Sequence, residues 1–374
     1  MHSSRVRLKI DLRKLKDNVS KLKNVSKSKI IAMIKANAYG HGIQEVYQYL
    51  KKECDVSDFG LASIEEAIHL RRLTKDYETN LIVFSDLAFS EENSFSHFID
   101  EKIIPVISSW SDLDHYLSNN TNTSLPLFLK INTGMNRLGI SFDDPKELVF
   151  ELKKRGIQQI DHLMTHFSSS NLKIETGSKC YLQYEVFKKL KKELKAASIL
   201  IKDSSVSNSG AIEQGFGFDE TYIRPGILMY GASVLSNNLR KNALVKADLV
   251  SSMETSIIDS FDIQKGAEIG YGDVKVQQSG RLVLVGVGYG DGLPTRFSGA
   301  TIKTEDEKGM IVGKINMDLT AILFPQGKNL TKGKRIKMWG DGLTNLSEIS
   351  DEVGLIPYEI LCNLGQRVNK EYIV

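Results

Sequence analysis

The sequence predicts an α/β fold, a closed TIM-like (β/α)8 barrel followed by a C-terminal, mostly β domain. Three observations predict it. Short apolar runs alternate with amphipathic charged stretches through the first two-thirds of the 374 residues, the pattern of strand–helix units in a parallel sheet. Eight such units favour a closed barrel over an open doubly wound sheet. Near Asn237–Asn242 the pattern gives way to short strands punctuated by glycine, as a β domain requires. The expected division is a barrel over residues 1–240 and a β domain over 241–374, with the first residues able to pair with the C-terminal part.

Taken in order, Ile30–Ile34 reads as the first buried barrel strand and Phe59–Ala62 as the second. Ser63 and Glu66 then stand at capping-box spacing and open a helix through Leu73. Leu81–Phe84, Ile103–Ile107, Leu127–Ile131, Ile160–His166, Ser205–Ser207 and Tyr222–Ile223 supply the remaining strands. The clearest helix is Tyr184–Ala197, with Val186, Leu190 and Leu194 expected to face inward and its lysines and glutamates outward. In the β domain, Leu282–Gly286, Met310–Gly313 and Arg335–Met338 are the expected strands.

Composition narrows the function classes. The chain carries 49 basic and 46 acidic residues for a net charge of +3, so the balance asks for neither nucleic acid nor a membrane surface. The lysine-rich helix alternates with acids and lacks the aromatic partners of a nucleic-acid patch. Cys54, Cys180 and Cys362 are widely spaced, with no C-x-x-C pair, which argues against a disulfide framework or a structural zinc site. No apolar stretch follows the N-terminal Met-His-Ser-Ser-Arg as a signal peptide would require, and none is long enough to span a membrane. The expected location is the cytoplasm.

Lys35 is the first candidate for chemistry. It ends an apolar strand, at the barrel face where this fold places its catalytic groups. Burial there lowers an amine's pKa and makes it a usable nucleophile; read alone, the residue fits equally a lysine that snorkels out of the rim. His162 and His166 are four apart, but on a strand that spacing is not the helical metal pair of zinc proteases. Ser207–Ala211 and Arg224–Ile227 follow the seventh and eighth strands, where such barrels bind phosphate through backbone amides and a helix N-terminus.

The segment Ile34-Lys35-Ala36-Asn37-Ala38-Tyr39-Gly40-His41-Gly42 closely resembles the cofactor-binding segment of the alanine racemases. The resemblance continues in order through Thr133–Gly139, Thr165–Phe167, Ser207–Ala211, Arg224–Ile227, Ile269–Gly272, Gly288–Gly292, Gly313–Asp318, Ile356–Glu359 and Leu364–Val368. It implies a pyridoxal 5'-phosphate (PLP) enzyme that racemises alanine by a two-base mechanism and supplies D-alanine for peptidoglycan. Lys35 then holds the cofactor and is one base. Tyr271, supplied by the other subunit of a homodimer, is the second. Tyr39, Ser209, Gly226, Ile227 and Tyr358 are assigned to the phosphate, Arg224 to the ring nitrogen, and His166 to support beside the ring and Tyr271. Arg137 and Met317 are assigned to substrate binding, and Lys130 takes the place of a lysine that is carbamylated in many members. Leu364–Val368 reads as structure rather than chemistry. Asn316 departs from a common cysteine, which opens the substrate range. The alternatives are a broader amino-acid racemase, a non-catalytic PLP-binding protein, which needs neither the β domain nor Tyr271, and a related decarboxylase, disfavoured by an arginine in place of an acid at the ring nitrogen.

Overall fold

A computed structural model describes residues 4–85, 94–120, 125–340 and 342–374. The chain opens with β1 (Val6–Asp11) and then lays down eight parallel strands: β2 (Lys29–Met33), β3 (Asp58–Leu61), β4 (Asn80–Val83), β5 (Ile103–Ile107), β6 (Phe128–Lys130), β7 (Gln159–Met164), β8 (Leu200–Ser205) and β9 (Tyr222–Ile223). They close on themselves in sequence order, the last pairing back to the first through Lys29 with Tyr222 and Ile30 with Ile223. Strands buried on both faces read as continuous apolar runs; all five residues of β5 are buried. The helices Ile43–Cys54, Ile64–Thr74 and Pro145–Lys154 that follow three of these strands each bury one apolar stripe.

The helix read as Tyr184–Ala197 spans Lys179–Ala196, and its inward face differs from the expected one. Tyr184, Phe187, Leu190 and Leu194 are buried, whereas Val186 is 37% exposed. Phe187 neighbours Val186 in sequence, and the larger ring takes the inward place. The seventh barrel strand, read as Ser205–Ser207, lies earlier: β8 spans Leu200–Ser205, and Ser207 lies in the loop beyond.

The second part contains β10 (Ser251–Ile263), β11 (Glu268–Ile269), β12 (Val274–Lys275), β13 (Gly280–Val285), β14 (Thr301–Lys303), β15 (Lys308–Val312), β16 (Thr320–Phe324), β17 (Arg335–Trp339) and β18 (Asn369–Ile373). Its main sheet runs β14-β15-β16-β13-β10-β1-β18, with β17 also on β10. The chain's first strand therefore sits in this sheet, antiparallel to β10 and parallel to β18. Asp11 ends that strand and caps the helix Leu12–Ser26 that leads into the barrel. One buried apolar cluster runs through both parts, from Ile31 and Phe59 in the barrel to Leu8, Met253 and Trp339 in the sheet. Tyr372 on β18 reaches across to donate to the His41 carbonyl at 3.0 Å, so the sheet braces the segment that follows β2.

Candidate active site

Beyond β2 the backbone does something its residues do not favour. Ala36, Asn37, Ala38 and Tyr39 all have φ between 52° and 55°, and Gly40 follows at 79°, giving a left-handed turn that starts at Lys35. Such a turn costs roughly 1–2 kcal/mol per non-glycine residue, so its surroundings must over-determine it. The Ala38 N–H donates to the Ile34 carbonyl at 2.8 Å and the Gly40 N–H to the Ala36 carbonyl at 3.0 Å. Asn37 accepts from the Ile43 N–H at 2.8 Å. His41 aims Nδ1 at the Ala38 and Tyr39 carbonyls, so that nitrogen carries the proton, and Nε2 accepts from Ser251 at 3.1 Å. Complete burial pushes the His41 imidazole down to about 4, which keeps the clasp neutral.

The turn projects Lys35 into a cluster of cations. Burial is the first cause that lowers the Lys35 amine, and Arg137 is the second. Lys130, 6% exposed, is lowered to about 8 by burial, then by Arg224, Arg137 and Lys35. His166 is held well below the usual histidine range by burial, then by Arg224, Lys130, Arg137 and Lys35. Arg224 itself, lowered to about 10 by burial, gives hydrogen bonds to the Ser205 hydroxyl and to the Thr165 and Val206 carbonyls. That leaves part of its five-donor fork unused. Among the described residues, the side chains of Lys35, Lys130 and Arg137 make no hydrogen bond or ion pair.

Across the mouth, the loops after β8 and β9 meet at Ser209 in a cradle of hydroxyls and small residues. Ser209 accepts from the backbone N–H of Gly226 at 3.0 Å and of Leu228 at 3.3 Å. Tyr358 hydrogen-bonds to Ser209, and Tyr39 stands 5.7 Å from the Tyr358 ring, centroid to centroid. A Cβ added to Gly226 would sit 2.4 Å from the Tyr39 hydroxyl, so only glycine allows this approach. Ile227 is fully buried beneath the cradle.

Lys35, Lys130, Arg137, His166 and Arg224 thus meet in one cluster, and Tyr39, Ser209, Gly226, Ile227 and Tyr358 in a second beside it. Tyr271 and Met317 belong to neither. They lie on the open face of the β domain, 72% and 53% exposed, and Tyr271 tips the hairpin between β11 and β12. The Met317 backbone N–H donates to nothing among the described residues. Its carbonyl accepts from Gly290 at 2.9 Å, and Arg367 bonds the Gly290 carbonyl and pairs with Asp291 and Asp318. Three sequence motifs therefore converge in one brace around Met317.

Two residues of the site were not singled out from sequence as functional. Tyr230 is buried, stacks on His41 at 4.6 Å and donates to the Met33 carbonyl at 3.2 Å. Glu66 completes only half of the expected capping box: Ser63 accepts from the Glu66 N–H, but the Glu66 carboxylate turns away and accepts from Ala36 at 2.7 Å and Ala62 at 2.8 Å. The available signal was its place in the first turn of a helix after a barrel strand, on the active face.

An amine with reduced proton affinity, cations without ion pairs among the described residues, and the hydroxyls of Tyr39, Ser209 and Tyr358 form a donor set suited to a phosphorylated carbonyl compound. With the β domain appended, these features define a two-part barrel protein whose candidate site is built around a buried lysine among cations. The alanine racemase N-terminal domain model matches residues 10–234 and the C-terminal domain model residues 250–372, and the chain belongs to the alanine racemase family. It is 30% identical over 369 residues to the alanine racemase of Coxiella burnetii (strain CbuG_Q212), covering 96% of each chain. It is 29% identical to that of Aeromonas hydrophila, covering 96% of this chain and 97% of the relative. The structure of alanine racemase from Acinetobacter baumannii superposes with a TM-score of 0.83 at 25% identity, over 99% of this chain and 100% of that one. The same fold appears in the Bartonella henselae alanine racemase with covalently bound pyridoxal phosphate, with a TM-score of 0.85 at 24% identity over 99% and 100%. Among the described residues no helix is long and apolar enough to cross a membrane.

Proposed function

We propose that this chain is an alanine racemase that interconverts L- and D-alanine with PLP, works as a homodimer in the cytoplasm and supplies D-alanine for peptidoglycan. The observation that carries the reading is Lys35, an amine with lowered proton affinity at the head of a clamped turn, beside Lys130 and Arg137, which make no ion pair among the described residues. Lys35 would hold PLP covalently, and Tyr39, Ser209, Gly226, Ile227 and Tyr358 would hold its phosphate. Arg224 would face the ring nitrogen, where it can donate but gives up no proton at working pH. When bound, PLP supplies the electron sink that lets an amino acid release its α-proton. Lys35 Nζ takes or returns that proton on one face, and Tyr271 Oη of the partner subunit serves the other. His166 stays neutral beside the ring. Arg137 and the free Met317 N–H bind the substrate carboxylate. The high exposure of Tyr271 in a single chain supports its use across an interface, and the same reading takes residues 1–240 as the barrel and 241–374 as the β domain. Lys130, with its amine near 8, is suited to carbamylation, which would replace a cation among cations by an anion.

Mixed dimers test this reading. Lys35→Ala and Tyr271→Phe homodimers are each expected to be inactive, whereas co-expression leaves one intact site in each heterodimer and recovers about a quarter of wild-type activity by random pairing. No recovery, or a Tyr271→Phe homodimer as fast as wild type, would contradict the two-base arrangement. In a panel of amino acids assayed for α-proton exchange, alanine is expected to be fastest; a larger substrate in first place would favour the broader racemase.

A further inference from the structure

We propose that Glu66 is a positioning residue for the reaction: its carboxylate locks the turn that carries Lys35 to the neighbouring barrel strand and holds a negative charge against that turn. The inference rests on the role given to Lys35 above. Its two carboxylate oxygens are divided between two elements. Oε1 accepts from Ala36, the residue after the lysine, and Oε2 from Ala62, just past the end of β3. The left-handed turn is thereby tied to the neighbouring barrel strand directly behind Lys35. The helix Ile64–Thr74 does not need Glu66 as its cap, because Ser63 serves its first turn and Glu65 bonds to Ser63. A carboxylate suits the place better than an amide: both contacts are backbone donors, and a glutamine would turn its own N–H groups toward one of them.

Charge gives the second half of the role. Glu66, ahead of the Cys362 thiol, opposes the burial and the Arg137 charge that favour the neutral Lys35 amine. Both opposing influences are needed. A fully protonated lysine cannot attack a carbonyl, whereas one that never holds a proton cannot return it to an α-carbon. A unit charge at a few ångströms in a partly screened site shifts a neighbour's pKa by about one unit.

Two readouts on the full-length protein separate this role from plain stabilisation. One is the pH midpoint for covalent attachment of PLP. The other is the pH midpoint for labelling of Lys35 by formaldehyde and cyanoborohydride in PLP-free protein, followed by peptide mass spectrometry. In Glu66→Gln both midpoints are expected to fall by about one pH unit. Glu66→Asp keeps the charge but is too short for both amides, so its midpoint stays near wild type while PLP affinity drops about tenfold or more. A wild-type labelling midpoint in Glu66→Gln, with only thermal stability reduced, would overturn the role. A shifted labelling midpoint in a protein that takes up no PLP would uphold the Glu66 role and overturn the functional reading instead.

Discussion

At the scale of single residues, burial and neighbouring guanidinium groups push two lysines of the barrel mouth in the same direction. For Lys130 the amine sits near 8, so about a tenth is neutral at pH 7 and open to attack on carbon dioxide. Carbamylation would turn the charge from positive to negative in a cluster that holds Lys35, Arg137 and Arg224. Protein equilibrated with 13C-labelled carbon dioxide is expected to show a carbamate resonance that is absent from Lys130→Ala. A spectrum without it, or one unchanged by the substitution, would leave Lys130 an ordinary amine. Residue identity was the legible part here, since Lys35, Arg137, Arg224 and Tyr271 stand in recognisable motifs. Glu66 was hidden, because its position in a capping box gave its carboxylate a sufficient local explanation, and only the fold reveals that it turns toward Ala36.

At the scale of elements, the strands were legible and the turn after β2 was not. Strands buried on both faces must be apolar throughout, and that leaves a plain mark in sequence. The left-handed turn runs through Ala36, Asn37, Ala38 and Tyr39, which contain no glycine to announce it. Its conformation is imposed by Asn37 and His41, within and just past the turn, together with Glu66 and Ser251 from distant parts of the chain. The inward face of the helix Lys179–Ala196 was ambiguous for a related reason: Val186 and Phe187 both fit an apolar stripe, and packing on the barrel chose the ring. The cradle after β8 and β9 makes its own prediction. In Gly226→Ala the new methyl would meet the Tyr39 hydroxyl, so PLP affinity is expected to fall at least tenfold, or about 1.4 kcal/mol. An unchanged dissociation constant from fluorescence titration would remove Gly226 from the cofactor site.

At the scale of the whole molecule, three histidines are held neutral, His41 and His162 fully buried and His166 partly so. Burial takes His41 to about 4 and His162 to about 3, and holds His166 well below its usual range. In the unfolded chain all three bind protons near pH 6.5. Below that point the unfolded state holds more protons than the native state, so stability is complete above about pH 6.5 and declines as the pH falls. Each histidine contributes a slope of about 1.4 kcal/mol per pH unit down to its native pKa. Urea denaturation is therefore expected to show a midpoint that drops steadily from pH 6.5 to 5, and a flat profile would contradict the burial. The two-part architecture was legible because the period of the apolar pattern changes along the chain. The pairing of β1 and β18 in one sheet, which brings Tyr372 against His41, was less so, since register between chain ends depends on tertiary packing. All of these parts converge on the lysine that ends the first barrel strand. The most direct measurement is to add PLP, reduce with borohydride and map the modified peptide. The cofactor is expected on Lys35 alone, with an absorbance band at about 420 nm lost on reduction. No such band, or PLP fixed on another lysine, would contradict the account.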